Sequence, residues 1–311
     1  MGSRSERVLI TGGAGFTGRS LTARLRDDGH EVIALSHEAP SRAGSDAGVL
    51  NVDLRDFDGL TRALSRVKPE AIVHLAAIAA PSHSEIGDMY SNNVVGTANL
   101  FAALATANLQ PRIVIVASSG QVYAAPDAEV PLAEGDPLEP TTHYAVSKRT
   151  TEEIAAIYSR HFPVIVTRPF NYTGPGQTTS FLVPKIVQNY AERRSEIRLG
   201  NLDLFRDFSD VDRVVEAYRR LFSRSINPTT VNICSGRAVH LVDIMTIMDD
   251  IAGHSVRLIT EPALLRRDEP RFIVGSPLRL EGLVGPLPNP EFRETLARMY
   301  DACRKERHDA A

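Results

Sequence analysis

Tyr144 and Lys148 are the two residues whose types and spacing most directly suggest chemistry. They lie four positions apart in a predicted helix, so the phenol and the ammonium can share one face of it. A cation so placed stabilises phenolate and lowers the pKa of the tyrosine, which can then pass a proton to or from a hydroxyl or a carbonyl. The spacing is common by chance. It gains weight from Ser118 and Ser119, which end an apolar strand upstream, and from a glycine-rich turn near the start of the chain.

The glycine-rich turn follows the first apolar run, residues 8–10, and opens a predicted helix. Gly12, Gly15 and Gly18 would allow a tight turn, close approach to a pyrophosphate and close packing of the helix on the sheet. The helix N-terminus would then direct free N–H groups at the phosphates. Placement directly after the first strand favours a bound dinucleotide over an empty turn. The residues predicted to hold the cofactor here are Gly12, Gly15, Phe16, Thr17 and Gly18.

The end of the second predicted strand bears on the type of dinucleotide. It reads Ser36-His37, without the carboxylate that would hold the ribose 2′-hydroxyl of NAD. Because no negative charge repels a 2′-phosphate there, and because His37 and Arg42 could approach one, we expect NADP(H) in preference to NAD(H), which stays possible. His74 is expected to be structural. Further cofactor contacts are predicted from Asp53 and Leu54 at the adenine, and from Leu75, Ala76 and Ala77 at a strand end.

The apolar pattern predicts the scaffold that would position these residues. Apolar runs without alternation predict strands buried on both faces, and their alternation with helices predicts an α/β fold. We expect a doubly wound parallel Rossmann sheet with a smaller C-terminal substrate lobe. The dinucleotide-binding domain would comprise residues 1–168 and 207–233, and the lobe residues 169–206 and 234–311. Strands are predicted near residues 8–10, 32–35, 71–75, 113–116, 164–167 and 230–234, and helices near 17–27, 58–67, 88–108, 144–160 and 210–223.

Composition excludes several classes of function. The 311 residues carry a net charge of −3, which argues against a nucleic-acid-binding surface. Cys234 and Cys303 lack metal-ligand or disulfide spacing, which fits a reducing compartment, and no metal site is expected. The sequence contains no apolar run of membrane-spanning or signal-peptide length. We therefore expect a cytoplasmic enzyme that does not contact a membrane.

The chain resembles the extended short-chain dehydrogenase/reductases of the NAD-dependent epimerase/dehydratase group along nearly its whole length. This resemblance implies that Ser119, Tyr144 and Lys148 form the catalytic set. Ser119 would hydrogen-bond the reacting oxygen, Tyr144 would be the acid/base, and Lys148 would hold the cofactor ribose and lower the pKa of the tyrosine. It also implies a cofactor contact from Asn93. The matching stretches are the glycine-rich turn and residues 53–54, 74–77, 93–97, 118–119 and 144–148.

Downstream stretches narrow the resemblance to the GDP-sugar enzymes of this family, the GDP-mannose 4,6-dehydratases and GDP-4-keto-6-deoxy-D-mannose reductases. Residues 168–177 and 200–211 match well, whereas residues 265–269 with 275–277 match less closely, since Arg267 replaces the usual proline. The planar donors of Arg206 and Arg266 suit a diphosphate. The substrate-binding set implied by the resemblance is Ser119, Gln121, Asn171, Val183, Lys185, Arg206, Arg266 and Glu269.

Gln121 distinguishes between the two reactions, because the dehydratase pattern carries a glutamate at this position. Elimination of water across C5–C6 needs a group that takes and returns a proton, and an amide cannot titrate. Reduction of the C4 ketone needs only hydride and a proton from Tyr144. We therefore expect NAD(P)H-dependent reduction of GDP-4-keto-6-deoxy-D-mannose to GDP-D-rhamnose, or to its C4 epimer GDP-6-deoxy-D-talose.

Three other functions stay open at this point. The first is a nucleotide-sugar 4-epimerase with retained NAD, the second a lyase like the GDP-mannose 4,6-dehydratases, and the third a catalytically silent dinucleotide-binding protein. Apolar stripes on the predicted helices 88–108 and 144–160 could be core or, as in the family, a dimer interface, and we expect a homodimer. The stripe residues are Leu100, Phe101, Leu104, Ile154, Ile157 and Tyr158.

Overall fold

The protein contains a main sheet and two smaller sheets. A computed structural model describes residues 4–36, 48–79, 86–126, 128–265 and 269–309. In chain order its strands are β1 (Arg7–Thr11), β2 (Glu31–Ser36), β3 (Val49–Asn51), β4 (Ala71–His74), β5 (Val114–Ala117), β6 (Val164–Pro169), β7 (Asn171–Thr173), β8 (Glu196–Leu199), β9 (Phe205–Asp210), β10 (Thr229–Ile233), β11 (Ala238–His240), β12 (Arg257–Thr260) and β13 (Phe272–Ile273).

The helices fall mostly between the strands, and several begin at a side-chain cap. The carboxylate of Asp56 accepts from Gly59 N at the start of α2, and that of Asp210 accepts from Asp212 N at the start of α7. The helices are α1 (Phe16–Asp27), α2 (Phe57–Val67), α3 (Ile86–Tyr90), α4 (Gly96–Thr106), α5 (His143–Tyr158), α6 (Leu182–Ala191), α7 (Val211–Phe222), α8 (Leu241–Ala252), α9 (Leu278–Val284) and α10 (Phe292–Asp309).

The main sheet has seven strands in the order β10-β6-β5-β4-β1-β2-β3, and all of its pairings are parallel. This is the predicted doubly wound Rossmann-like sheet. Side chains alternate across it: Val8 and Ile10 pack with α1 and α7 on one face, whereas Leu9 packs with α2 and α4 on the other. Strand order reverses between β1 and β4, so a crevice forms at their carboxyl ends, where ligands bind in such sheets.

The smaller sheets contain strands that follow β6. In one, β9 pairs with β7, β11 and β13, and in the other β8 pairs with β12. A separate apolar cluster lies among α6, α8 and α10, and includes Tyr190, Ile244 and Leu296. The strand β10, however, returns to the main sheet beside β6. The division of the chain into two domains with the boundaries given above stays a prediction.

The region predicted as one helix over residues 88–108 differs from that expectation. It consists of α3, a π-helical turn at Ser91–Val95 and α4. Apolar periodicity does not reveal a π turn, because it inserts one residue without changing the composition. The stripe residues Leu100, Phe101 and Leu104 are fully buried against the sheet, and only Ile157 of the stripes is strongly exposed, at 68%. The stripes therefore belong mainly to the core.

Two negative findings concern the described residues alone. None of the helices in these ranges has both the length and the apolar character needed to cross a membrane. Within the same ranges, histidine, cysteine, aspartate and glutamate side chains do not form groups of three or more that could hold a metal ion.

Candidate active site

The glycine-rich turn leaves no room for side chains at Gly12, Gly13 and Gly18. Gly12 has a φ of +68°, and a Cβ built there would lie 2.9 Å from the backbone of Ala76 at the end of β4. A Cβ on Gly18 would lie 2.2 Å from the carbonyl oxygen of Gly12. The turn therefore packs closely against both its own helix and the neighbouring strand, which brings the predicted residues at Gly12 and Ala76 together.

Within the described part of the chain, the N-terminus of α1 has neither a side-chain cap nor an acidic residue in its first turn. Its N-cap is Gly15, unlike α2 and α7 with their capping carboxylates. Free N–H groups at the positive end of a helix dipole suit a phosphate. The turn and helix therefore fit the pyrophosphate of a dinucleotide. Phe16 and Thr17 are the first two residues of this helix.

His74 supports the ends of β1 and β4 from within. Its Nδ1 lies 2.6 Å from the hydroxyl of Thr11, and its Nε2 lies 2.9 Å from the hydroxyl of Thr97. The Thr11 hydroxyl also accepts a hydrogen bond from Ala76 N at 3.2 Å. Burial, assisted by the nearby Lys148 ammonium, lowers the pKa of His74 to about 3. The imidazole is therefore neutral and shapes the strand ends.

Ser119, Tyr144 and Lys148 meet at the end of β5. Thr142 caps α5 by accepting from Ala145 N at 3.1 Å, so Tyr144 lies in the first turn of the helix. The Ser119 side chain lies close enough to the Tyr144 phenol for hydrogen bonding between them to lower the pKa of the phenol. Lys148 Nζ donates to the carbonyl oxygen of Ala117 at 2.5 Å, two residues before Ser119. The structure thus brings together the three residues predicted to be catalytic.

The protonation states of Tyr144 and Lys148 differ from the expectation based on the sequence. Burial raises the pKa of Tyr144 well above its ordinary value, the neighbouring Tyr172 adds to this, and the hydrogen bond from Ser119 opposes it. Burial lowers the pKa of Lys148 to about 8, and the carboxylate of Glu152 opposes that shift. Desolvation therefore outweighs the expected effect of the lysine on the tyrosine. At neutral pH the phenol is protonated and can donate.

A buried ion pair behind Lys148 was missed by sequence reasoning. Arg168, in β6, binds Glu152, in α5, through two hydrogen bonds of 2.8 and 2.7 Å. Arg168 also donates to the hydroxyl of Tyr123 at 3.0 Å, and that hydroxyl donates to Asn232 in β10 at 2.7 Å. The available signal was a glutamate four residues after Lys148, but its partner lies in a different element.

Several predicted cofactor residues also bind other parts of the protein. Asp53 forms an ion pair with Arg55 at 2.7 Å, and Leu54 is buried in the core. Asn93 Oδ1 accepts from Ile78 N at 2.8 Å, and its Nδ2 donates to the hydroxyl of Ser147 at 3.0 Å. Asn93 thus ties the segment after β4 to the helix that carries Tyr144. Ser36 ends β2 as predicted, Leu75, Ala76 and Ala77 follow β4, and His37 and Arg42 lie outside the described residues.

The predicted substrate residues are only partly assembled. Arg206 NH2 lies 3.3 Å from Glu269 Oε1, and its NH1 donates to the carbonyl oxygen of Phe205 at 2.8 Å. Lys185 Nζ donates to the carbonyl oxygen of Arg198 at 3.2 Å. The Val183 side chain is buried in the α6–α8–α10 cluster, so it packs in the core and does not face a ligand. Gln121 follows Ser119 in a 3₁₀ turn, Asn171 begins β7, and Arg266 lies outside the described residues.

Tyr172 is a further site residue that sequence reasoning did not single out. Its hydroxyl lies 2.8 Å from that of Thr17, and its ring stacks on Phe16 with centroids 6.1 Å apart. It also lies near enough to Tyr144 to affect the pKa of that phenol. The signal was its place in the 168–177 stretch, where only Asn171 was singled out.

Comparison with known proteins agrees with this geometry. Residues 8–234 match the NAD dependent epimerase/dehydratase family. The chain belongs to this family. Its relatives include the GDP-6-deoxy-D-talose 4-dehydrogenase of Aggregatibacter actinomycetemcomitans, 31% identical over 90% of this chain and 91% of that protein. Another is the GDP-6-deoxy-D-mannose reductase of Pseudomonas aeruginosa, which is 30% identical over 94% of this chain and 95% of that protein.

Solved structures give the same picture. A Burkholderia cenocepacia protein superposes with a TM-score of 0.89 and is 38% identical, over 97% of this chain and 99% of that one. RMD from Pseudomonas aeruginosa, complexed with NADPH, superposes with a TM-score of 0.83 and is 28% identical, over 97% of this chain and 100% of that one. MoeE5, complexed with UDP-glucuronic acid and NAD, superposes with a TM-score of 0.86 and is 26% identical, over 96% of this chain and 99% of that one. The chain is therefore an NAD(P)-dependent enzyme of the group that modifies nucleotide sugars.

Proposed function

We propose that the protein reduces the C4 ketone of GDP-4-keto-6-deoxy-D-mannose with a reduced nicotinamide dinucleotide, giving GDP-D-rhamnose or its C4 epimer GDP-6-deoxy-D-talose. The observation that carries the proposal is the end of β5. There the Ser119 side chain lies near a protonated Tyr144, and the next side chain along the turn is the amide of Gln121. This arrangement can deliver one proton to a ketone oxygen. It lacks, at residue 121, the carboxylate that elimination of water would use.

The chain's own residues divide the work of such a reduction. The turn from Gly12 to Gly18 would hold the cofactor pyrophosphate, and Lys148 would hold its ribose. The bound cofactor supplies the hydride. Ser119 would orient the ketone oxygen by a hydrogen bond, and Tyr144 would donate its phenolic proton to that oxygen. The raised pKa of Tyr144 favours this direction, because it keeps the phenol protonated at neutral pH.

Recognition of the nucleotide diphosphate is assigned to Arg206. Its guanidinium is largely buried and donates to Glu269 at 3.3 Å and to the carbonyl oxygens of Phe205 and Arg271 at 2.8 and 3.3 Å. A planar guanidinium can form two parallel charge-assisted hydrogen bonds with a diphosphate, which suits Arg206 to this role. Two relatives are named for GDP-6-deoxy sugars, and they support guanosine as the nucleoside. We extend the assignment to Arg266 on the basis of the sequence resemblance.

The first experiment follows the loss of NADPH and NADH absorbance against GDP-4-keto-6-deoxy-D-mannose generated in situ, with NMR of the product at C4. Consumption of cofactor equal to the product formed would establish the ketoreductase, and the C4 coupling would name the epimer. Absence of consumption with both cofactors would remove this substrate from the proposal.

Tyr144→Phe tests the proton donor. The rate should fall by about 10²–10⁴, because the ketone oxygen then has no positioned acid. Kd for NADPH should change far less, which a binding titration of the same variant would show. Tyr158→Phe, at the other end of α5, is the matched control and should keep the parent rate. A fully active Tyr144→Phe enzyme would exclude the phenol from the mechanism.

A nucleotide-sugar 4-epimerase is the second candidate. It is favoured by the structural likeness to the Burkholderia cenocepacia protein, which is named as an epimerase, and MoeE5 shows NAD and a UDP-sugar bound together on a similar fold. An epimerase retains its nicotinamide through the cycle, so it would interconvert C4 epimers without added cofactor. The protein as purified should then release NAD on denaturation. A protein free of dinucleotide that needs stoichiometric NAD(P)H would decide against this candidate.

NADP(H) preference and a homodimer are also proposals. The serine at the end of β2 supports NADP(H), since it puts no negative charge near a 2′-phosphate. The relative strength of NADPH and NADH binding tests this directly. The exposed Ile157 on α5 supports an interface, although most of the apolar stripe is core. Light scattering of the purified protein measures the assembly state.

A further inference from the structure

Tyr172 connects the smaller sheet to the phosphate-binding helix. It lies in β7, opposite Ser209 of β9, so its backbone belongs to the sheet that also carries Arg206. Its ring is nearly parallel to that of Phe16, at an angle of 10° and a centroid distance of 6.1 Å. Its hydroxyl and that of Thr17 are 2.8 Å apart. One side chain thus makes a stacking contact and a hydrogen bond with the first two residues of α1.

The position of this contact matters because α1 begins without a cap. The first-turn N–H groups of α1 face the place where a pyrophosphate fits, and Thr17 lies among them. Gly174, just after β7, also lies beside Phe16, since a Cβ built on it would be in ordinary contact with the Phe16 ring at 3.6 Å. Tyr172 is also a neighbour of Tyr144. Its phenol therefore lies between the phosphate end and the reacting end of the expected cofactor path.

We infer that Tyr172 is a positioning residue for the cofactor phosphates. Its hydrogen bond fixes the hydroxyl of Thr17, and its ring fixes Phe16, so the first turn of α1 is held in one arrangement before a dinucleotide binds. Pre-organisation of this kind improves affinity because less ordering remains to be done on binding. Asn171 and Tyr172 are consecutive in β7 and point to opposite faces. One strand therefore serves the predicted substrate contact and the cofactor.

A double-mutant cycle tests the role, and it rests on the proposed function only in placing a dinucleotide at the glycine-rich turn. Tyr172→Phe keeps the ring and removes the hydroxyl, Thr17→Val removes the partner, and the double variant removes both. The chain has no tryptophan, so binding can be followed by the fluorescence of NADPH itself. Each single change should weaken NADPH binding about two- to tenfold, the effect of losing one hydrogen bond. The double variant should bind NADPH no more weakly than the single variant with the lower affinity, because both changes remove the same hydrogen bond.

A steady-state measurement separates positioning from general damage. In Tyr172→Phe, KM for NADPH should rise by a larger factor than kcat falls, whereas a loosened fold would lower kcat as well. Tyr158→Phe is the matched control, since Tyr158 also stacks on a phenylalanine, Phe101, at 5.0 Å, but at the far end of α5. It should bind NADPH as the parent does.

Two results would overturn the inference. The first is a Tyr172→Phe protein that binds NADPH as tightly as the Tyr158→Phe control. The second is a double variant whose loss of affinity equals the product of the two single losses, because the two hydroxyls would then act independently. Binding is measured without a sugar nucleotide. A protein that fails to reduce the GDP-keto sugar can therefore still confirm or overturn the role of Tyr172.

Discussion

Two arginine–glutamate pairs in this protein have the same chemistry but differ in contact distance and in exposure to solvent. The Arg168–Glu152 pair shares two hydrogen bonds, and only 5% and 6% of the two side chains are exposed. The Arg206–Glu269 pair has one contact of 3.3 Å, with 12% and 24% exposed. The first pair also engages the hydroxyl of Tyr123 and the carbonyl oxygen of Glu134, and the guanidinium of the second also donates to the carbonyl oxygens of Phe205 and Arg271. The two pairs thus differ mainly in the length of the arginine–glutamate contact and in the exposure of the carboxylate.

The differences in burial and contact distance indicate different roles for the two ion pairs. Two buried charges that satisfy each other are costly to separate, so Arg168 and Glu152 hold α5 against β6 and keep Lys148 in place. The Arg206–Glu269 hydrogen bond is longer and its carboxylate is more exposed than that of Glu152, so a diphosphate can compete with Glu269 for the guanidinium. We therefore regard the Arg168–Glu152 pair as support for the catalytic helix and the Arg206–Glu269 pair as part of the substrate site.

The largest effect should come from breaking the buried pair. Arg168→Met leaves Glu152 buried without its main partner, which should cost about 3–5 kcal/mol of the free energy of unfolding. Glu269→Gln should cost less than Arg168→Met, because Glu269 is more exposed than Glu152 and the glutamine amide oxygen can still accept a hydrogen bond from Arg206. Urea unfolding followed by circular dichroism measures both. Equal losses in the two variants would show that the comparison is wrong.

Arg206→Ala should act on substrate affinity. Removing a charged donor to a diphosphate should raise KM for the sugar nucleotide about ten- to a hundredfold, with little change in KM for NADPH. Arg257→Ala is the matched control, since Arg257 is an exposed arginine in β12 that pairs with Glu196. If KM for the sugar nucleotide is the same in both variants, Arg206 does not bind the diphosphate.

The smallest predicted effect is a shift in pH dependence. The Lys148 ammonium loses its proton as the pH rises through about 8, so a rate that needs this cation should fall there. Glu152→Gln removes the anion that opposes the lowering of the Lys148 pKa, so the alkaline fall in rate should move to lower pH. The control is Glu153→Gln, on the exposed side of the same helix. A profile that does not move in Glu152→Gln would show that the carboxylate does not act on Lys148.

The free energy of unfolding should also depend on the ionisation of Lys148, but it should increase with pH where the rate falls. The lowered pKa means that the unfolded chain binds more protons than the folded one between about pH 8 and the ordinary lysine value of 10.5. This group therefore contributes increasing stability as the pH rises across that window.

The fold was largely predictable because buried parallel strands leave a strong signal. Six of the predicted runs became strands, and the runs near residues 8–10 and 32–35 became β1 and β2. The three-residue strand β3 was missed, since it is too short to show a pattern. The long helix over 88–108 was wrong in its middle, where the π turn lies. Pattern reading detects period and length, and it is insensitive to a single inserted residue.

The candidate site was less predictable than the fold. Ser119, Tyr144 and Lys148 could be found because each lies in a short motif. Glu152 with Arg168, and Thr17 with Tyr172, could not, because each pair joins two elements that only the folded chain brings together. The expected lowering of the Tyr144 pKa was wrong for a related reason. The sequence shows a neighbouring cation, but burial, which dominates, is a property of the whole structure.

The strand order also determines when the main sheet can be completed during synthesis on the ribosome. β6 ends at Pro169, and the strand that pairs with its outer edge begins at Thr229. A growing chain on the ribosome therefore exposes that edge while β7, β8 and β9 emerge. Parallel pairing between distant segments forms slowly, and an open strand edge can pair with another chain. We therefore expect the nascent chain to be open to edge pairing in this interval, which ends when β10 leaves the exit tunnel.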